Sequence, residues 1–313
     1  MTGESSSHGP AVDNQPQPLP AAGAAPDVPK ESARSILFQF VLFPLAVVLI
    51  GVAIFLLFGV LATEEHSIPD YVNQIRSGSA HERWQAAYQL SKSLKRGEAK
   101  RYPDLAPQIA AIYVAAQHDD PKVRRYLGMV LGNLGDRRGT PVLLEGLNDR
   151  DPETRLFAIL ALAQIRDPAS LPRLIAMTRD EEPDVRKTAA FALGESGLRG
   201  GIPALIAACE DPVADVRWNA AIALSRFGDR SAIPVLRQML DRRSFSRISG
   251  VREDQIEDAM IEAMAPYARL EGRTAVPDLE RIATTDPSLR IRAAAKTAAG
   301  QIGNQRSESR NQK

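Results

Sequence analysis

The chain of 313 residues contains a segment that recurs in register every 31 residues, with an arginine followed seven residues later by a leucine. The arginines are Arg124, Arg155, Arg186 and Arg217, and the leucines are Leu131, Leu162, Leu193 and Leu224. A fixed period of this length is the signature of an array of stacked units, because one such unit cannot bury its apolar face alone. The period therefore predicts a repeat array before any other feature is considered.

Each copy of the segment has the pattern of an amphipathic helix. Counted from the arginine, the apolar or small positions −1, +3, +6, +7 and +10 fall on one face at 100° per residue. An acidic residue and a proline mark the helix start at Asp120-Pro121, Asp151-Pro152 and Glu182-Pro183, and glycines mark the end at 135, 197 and 228. A shorter apolar helix is predicted before each copy, so the unit is a helix pair.

This pattern resembles the HEAT repeat family, in the short bacterial form called phycobilisome-lyase-like HEAT. The resemblance is carried by Asp-Pro-x-Val-Arg, then alanine and leucine, then Gly-x-x-Gly-Asp, as in residues 120–136, and it covers residues 67–303. It implies an all-α, right-handed α-solenoid of about seven HEAT-like helix pairs, with the second helices lining a concave surface. HEAT arrays serve many unrelated functions, so the resemblance implies the fold and no particular activity.

The resemblance also implies a structural ladder of aspartate and arginine between successive units. The acids that precede the four repeated arginines are Asp120, Asp151, Glu182 and Asp215. The alternative for these arginines is a role in binding.

The segments outside the array differ sharply in composition. Residues 1–35 are rich in Pro, Ala, Ser and Gly and predict a disordered tail, and residues 304–313 are polar and predict a second one. Residues 36–62 carry no charge. As a helix they would be roughly 40 Å long, against about 30 Å for the hydrocarbon core of a bilayer, which predicts a single transmembrane helix. A cleaved signal peptide ending near residues 60–62 is the alternative.

The flanking charges predict an orientation for this helix. Lys30 and Arg34 precede it, and Glu64 and Glu65 follow it. By the positive-inside rule the N-terminus is cytoplasmic, and the repeats of a bacterial chain are periplasmic and tethered to the inner (cytoplasmic) membrane.

A candidate binding surface follows from positions +1 and +5 of the second helices, which lie nearly opposite the core face. These positions are unusually apolar and aromatic for a solvent face, and such residues are enriched in protein interfaces. We call this set the stripe: Trp84, Tyr88, Arg125, Met129, Leu156, Leu160, Lys187, Phe191, Trp218 and Ile222. The alternative is that these residues pack between neighbouring units.

A second candidate is a basic insert after Leu240, where the period breaks. It carries Arg242, Arg243, Arg247 and Arg252, which would hold an acidic partner or lipid headgroups. The alternative is a solvated loop.

The sequence contains no recognisable catalytic constellation. Of the four histidines only His81 is followed by Glu82, and a metal site needs several converging ligands. The net charge of +1 is a poor footprint for phosphate binding, so no nucleic acid partner is predicted. No cofactor is predicted, and the single cysteine, Cys209, is expected to be a packing residue.

The sequence therefore predicts a membrane-anchored HEAT-repeat scaffold that binds a protein partner, as an accessory subunit of a membrane-associated complex. It predicts no enzymatic activity. The alternative is a HEAT-like enzyme, either bilin-lyase-like or metal-dependent and deoxyhypusine-hydroxylase-like. Stoichiometric iron in the purified protein would favour the alternative.

Overall fold

The computed structural model describes residues 42–62, 67–248 and 250–311, with side chains described for all of these except 57–62, 247 and 303–311. The chain divides into two units, Met1–Glu65 and His66–Lys313. All regular structure within the described residues is helical. The predicted tail over residues 1–35 lies outside the described residues.

The first unit contains one described helix, α1 (Phe43–Ala62), of 20 residues. Its side chains are described through residue 56 and are exposed. Residues 36–41, where the predicted transmembrane helix begins, lie outside the described residues.

No helix within the described ranges is long and apolar enough to cross a membrane. The predicted inner-membrane location is therefore wrong, and the cytoplasmic N-terminus and periplasmic repeats fall with it. The transmembrane helix over residues 36–62 and the membrane as a partner are likewise not supported.

The second unit contains seven helix pairs within its described residues, which confirms the predicted all-α repeat solenoid. The first helices are α2 (Ile68–Ser77), α4 (Leu105–Ala115), α6 (Thr140–Gly146), α8 (Leu171–Met177), α10 (Ile202–Ala208), α12 (Ile233–Met239) and α14 (Val276–Thr285). The second helices are α3 (Ala80–Ser93), α5 (Pro121–Leu134), α7 (Pro152–Ile165), α9 (Pro183–Ser196), α11 (Ala214–Arg226), α13 (Glu253–Glu271) and α15 (Leu289–Asn311). Helix α15 thus includes residues 304–311, where a disordered tail was predicted.

The predicted start and stop signals operate as expected. Helices α5 and α7 begin at Pro121 and Pro152, and the preceding aspartate of each caps a free backbone N–H of the first turn. Helices α5 and α9 end at glycines with φ of 70°, in the left-handed region. Arg166 takes the same place after α7 with φ of 56°, the one non-glycine residue of the described part with positive φ.

The core runs along the stacked second helices, each of which packs against the next. The leucine at position +7 of each repeat is fully buried there, as in Leu131 and Leu193. Where α9 meets α11 and α5 meets α7, a glycine faces the neighbouring backbone at very short distance. A Cβ built on Gly194 would stand 2.9 Å from the Cα of Ala223, and one on Gly132 would stand 2.9 Å from the Cα of Ala161. The close stacking of the second helices places their remaining faces side by side.

Candidate functional site

The stripe lies on α3, α5, α7, α9 and α11, with two residues on each helix. Not one of its ten residues is buried: nine are half-buried, and Phe191 is 37% exposed. Several stripe side chains pack against the core and keep part of their surface in solvent: Trp84, Leu156, Trp218 and Ile222. Complete packing between neighbouring units is therefore not observed for any stripe residue.

An aromatic cluster occupies the N-terminal part of this surface. The ring centroid of Tyr126 lies 5.1 Å from that of Tyr88, 6.3 Å from that of Trp84 and 6.2 Å from that of Phe157. These separations are typical of favourable aromatic pairs. Tyr126 and Phe157 stand at position +2 and were missed from the sequence. The available signal was that two successive repeats carry an aromatic residue at this same position.

Cations lie over several of these rings. The ammonium of Lys122 is 5.1 Å from the ring centroid of Trp84, and that of Lys92 is 5.1 Å from that of Tyr88. Farther along, the guanidinium of Arg226 is 5.5 Å from the ring of Phe191. Such contacts contribute about 0.5–1 kcal/mol at exposed sites and hold the rings at the surface. The surface therefore presents aromatic faces bordered by positive charge.

The two charged residues of the stripe make ion pairs within the chain. Arg125 donates two hydrogen bonds to the carboxylate of Asp151, at 2.7 and 2.8 Å. Burial tends to raise the pKa of Asp151, but the bonds from Arg125 and Thr154 outweigh it and hold that pKa below its usual value. Lys187 pairs with Asp184 at 2.7 Å. These two positions are consequently less available to a partner than the aromatic ones.

The C-terminal end of the stripe borders a pocket. Trp218 packs against Phe245 of the 3₁₀ segment Arg242–Arg247, with ring centroids 5.2 Å apart. Between them and α12 lies a pocket of about 470 Å³, lined by Arg217, Trp218, Gln238 and neighbouring residues. The insert therefore walls one side of a cavity at this end of the surface.

A ladder of ion pairs joins successive helix pairs, as the resemblance implied. In three rungs the arginine of one second helix binds an aspartate 25 residues later, just ahead of the next second helix. The filled rungs along the regular repeats are Arg83–Asp119, Arg124–Asp149, Arg155–Asp180 and Arg186–Asp211. The next arginine also donates to the main-chain oxygen of the same aspartate, as Arg155 does to Asp149 at 2.9 Å.

The acids proposed for the ladder from sequence order are the wrong ones. Asp120 and Asp151 cap their own helices instead, accepting from the backbone N–H groups of Lys122 and Thr154. Glu182 and Asp215 take part in no rung among the described residues. The ladder acids Asp149, Asp180 and Asp211 stand six residues before the next repeated arginine, rather than two or four. In the regular repeats the rung position and the helix-capping position are two residues apart, as with Asp149 and Asp151, and both lie in the turn between helices.

The rung at Asp211 gives stability a pH dependence. Burial pushes the pKa of Asp211 upward, but hydrogen bonds from Arg186 and from the Val213 N–H outweigh it, leaving the pKa below its usual value. A carboxylate whose pKa is lowered in the folded state stabilises the protein at pH values above the ordinary aspartate pKa of about 4. This stabilisation is lost as the pH falls through the lowered pKa. We expect the urea midpoint to fall as the pH drops below about 5, and to fall less in an Asp211→Asn variant. Parallel pH profiles for the two proteins would contradict this assignment.

The basic insert is partly tied down within the chain. Arg242 pairs with Asp286 at 3.0 Å and also with Glu253, and Arg252 pairs with Asp254 at 2.9 Å. The side chain of Arg243 is exposed, and that of Arg247 lies outside the described residues. Arg242 thus fastens the insert to the last helix pair, and the binding role of the insert stays a prediction.

Two chemical features bear on catalysis. Across the described residues, no three His, Cys, Asp or Glu side chains converge so as to hold a metal ion. Cys209 is buried, and burial raises its pKa to about 11, which keeps the thiol protonated at neutral pH.

The sequence pattern of the ladder region matches a known family. Residues 109–184 and 171–253 each match the sequence model of HEAT repeats. This part of the chain consists of HEAT repeats. The helix pairs on either side of it continue the same stacking of second helices. No curated protein matches the sequence.

Several solved structures resemble this chain at low sequence identity. The complex of CpcE and CpcF of phycocyanin lyase from Nostoc sp. PCC7120 is 19% identical, covers 77% of this chain and 93% of its own, and has a TM-score of 0.47. YibA from E. coli is 17% identical, with 77% and 83% covered and a TM-score of 0.49. Human deoxyhypusine hydroxylase in complex with glycerol is 18% identical, with 79% and 99% covered and a TM-score of 0.31. Likenesses at this level carry no activity over to this chain.

Proposed function

We propose that the HEAT-repeat unit is a scaffold that binds a segment of another protein along the stripe and that it catalyses no reaction. The observation that carries this proposal is the half-buried state of the stripe on five successive second helices. A repeat array presents such residues at regular intervals, which suits an extended binding partner. The protonated Cys209 thiol also argues against a cysteine nucleophile.

The aromatic cluster is the part of the surface expected to contribute most to binding. Tyr and Trp dominate interface energetics because they bring large apolar area with few rotatable bonds. Tyr88 and Trp84 already lean on Tyr126, so a partner would find them largely ordered. Preordered side chains lose less entropy on binding, which favours affinity.

The proposal is tested by comparing two double variants of the full chain. Tyr88→Ala with Phe191→Ala truncates two stripe residues. Val114→Ala with Ile206→Ala truncates two exposed apolar residues of first helices, which are 47% and 41% exposed. Affinity purification from the native source, quantified by mass spectrometry, should retain a protein with the wild type and the control that is lost with the stripe variant.

The captured protein is then purified and its binding measured by calorimetry. We expect the stripe variant to bind at least about tenfold more weakly. Truncation of an aromatic residue that anchors an interface costs more than about 1 kcal/mol of binding free energy. The first-helix control should bind like the wild type. Equal affinity for all three proteins would refute the stripe as the binding surface, and a loss in the control alone would move the site to the first helices.

A further inference from the structure

The ladder is interrupted at one rung in the interior of the array. The rung aspartates Asp149, Asp180 and Asp211 stand 31 residues apart, and the next position in that series is Arg242. Among the described residues, Arg217 therefore forms no ion pair of this kind, whereas the three arginines before it each do. Its Nη1 donates only to the main-chain oxygens of Asp211 and Pro212, at 2.7 and 3.0 Å.

Among the residues that the structure describes, none restores this rung. Asp211 is committed to Arg186 through bonds of 2.7 and 3.1 Å. Arg242, which holds the sequence position of the absent aspartate, carries positive charge and pairs instead with Asp286. Within the described residues, no salt bridge reaches the Arg217 guanidinium. The guanidinium of Arg217 thus lacks the aspartate partner that the equivalent arginines of the preceding repeats have.

The interrupted rung also faces a cavity. Arg217 lines the pocket of about 470 Å³ beside Trp218, and none of the residues that line this pocket is acidic. Val213 and Ile248 add apolar surface, and the hydroxyl of Ser244 and the amide of Gln238 add polar groups. An anion entering the pocket would meet the guanidinium without repulsion from a lining carboxylate, and an apolar group beside it would meet Trp218.

We propose that this pocket binds an aspartate side chain from a partner's peptide segment, which completes the ladder at Arg217. The filled rungs of the regular repeats all use aspartate, and arginine with carboxylate forms short charge-assisted hydrogen bonds. An apolar residue next to that aspartate lies against Trp218. The inference deepens the proposed function, on which it rests, because Trp218 belongs to the stripe.

The two tryptophans of the chain allow a direct test. In full-length protein labelled with ¹⁵N-tryptophan, Trp84 and Trp218 give two indole signals, assigned by the loss of one in a Trp218→Phe sample. The probe is the peptide acetyl-Leu-Asp-Leu-amide, and its control is acetyl-Leu-Asn-Leu-amide. We expect the aspartate peptide to shift the Trp218 signal saturably while the Trp84 signal stays in place. The asparagine peptide should bind at least about tenfold more weakly, because it lacks the charge.

Arg217→Gln should abolish the shift at Trp218, and Arg292→Gln is its matched control. Arg292 occupies the same register in α15 and likewise donates to a main-chain oxygen, that of Asp286, at 3.1 Å. It stands in the last helix pair, away from the pocket. Arg292→Gln should bind the peptide like the wild type, and comparable melting of the two variants shows that neither result reflects unfolding.

Three outcomes would overturn the inference: equal binding of the two peptides, full binding by Arg217→Gln, or equal shifts of both indole signals. A dipeptide with a free C-terminal carboxylate, acetyl-Leu-Leu, tests the other source of the charge. If it binds as tightly as the aspartate peptide, the assignment to an aspartate side chain is wrong. Failure with the peptides leaves the scaffold proposal standing if the stripe variant still loses its partner. If the peptide binds but the stripe variant keeps its partner, the stripe is refuted as the binding surface and the pocket proposal stands.

Discussion

Replacement of Arg155 by glutamine is expected to lower the free energy of unfolding by about 3–5 kcal/mol, the usual effect of breaking a buried ion pair from one side. The side chains of Arg155 and Asp180 are only 8% and 10% exposed, and they meet at 2.9 Å. Without the guanidinium, the carboxylate of Asp180 stays out of water with no opposite charge. The variant also loses the bond from Arg155 to the main-chain oxygen of Asp149.

The matched control is Arg217→Gln, at the same helix position with a main-chain bond but no carboxylate. It is expected to lower the free energy of unfolding by about 1 kcal/mol, as for a single hydrogen bond. Urea unfolding followed by circular dichroism measures both. A second change, Asp180→Asn in the Arg155→Gln protein, should restore part of the loss because no uncompensated charge then remains. Equal effects at Arg155 and Arg217 would show that the carboxylate contributes nothing to the rung.

The repeated arginines show which features of the fold could be predicted from the sequence and which could not. The 31-residue period, the proline starts and the glycine ends predicted the helix pairs correctly, because each depends on neighbours along the chain. The choice of an ion-pair partner for Arg124 does not. Asp149 and Asp151 flank a single residue, and both have the charge for a rung. The turn before α7 decides which carboxylate faces back toward α5, and that geometry has no local sequence signal.

The sequence predicted which helix positions form the candidate surface, but it did not predict which side chains contact one another there. Positions +1 and +5 were identified from helical geometry, and they do lie on the second helices with edges in solvent. Tyr126 and Phe157 were missed because position +2 falls between the stripe and the core face. Arg242 was taken for a free basic residue because its partner, Asp286, lies 44 residues farther along the chain. The inner-membrane location was predicted from an uncharged run, its length and its flanking charges, and it was wrong because no helix within the described ranges is long and apolar enough to cross a membrane.

Gly194→Ala is expected to lower the free energy of unfolding by about 2 kcal/mol, although alanine favours helices by about 1 kcal/mol over glycine. The added Cβ would stand 2.9 Å from the Cα of Ala223 and 2.7 Å from its Cβ. The obstruction is the backbone and first carbon of the next second helix, which cannot rotate away as the end of a long side chain can. Helices α9 and α11 must separate, and overpacking of this kind costs about 1–3 kcal/mol.

Gly300→Ala provides the control with the opposite sign. Gly300 stands eight residues after Arg292, as Gly194 stands eight residues after Arg186, but α15 is the last helix and no atom lies within 4 Å of a Cβ built there. Alanine should therefore raise the free energy of unfolding by about 0.5–1 kcal/mol through helix propensity alone. Urea midpoints that move in opposite directions would assign the loss at Gly194 to contact between neighbouring repeats. Stabilisation by both substitutions would mean that α9 and α11 do not approach as closely as the stacking of the second helices requires.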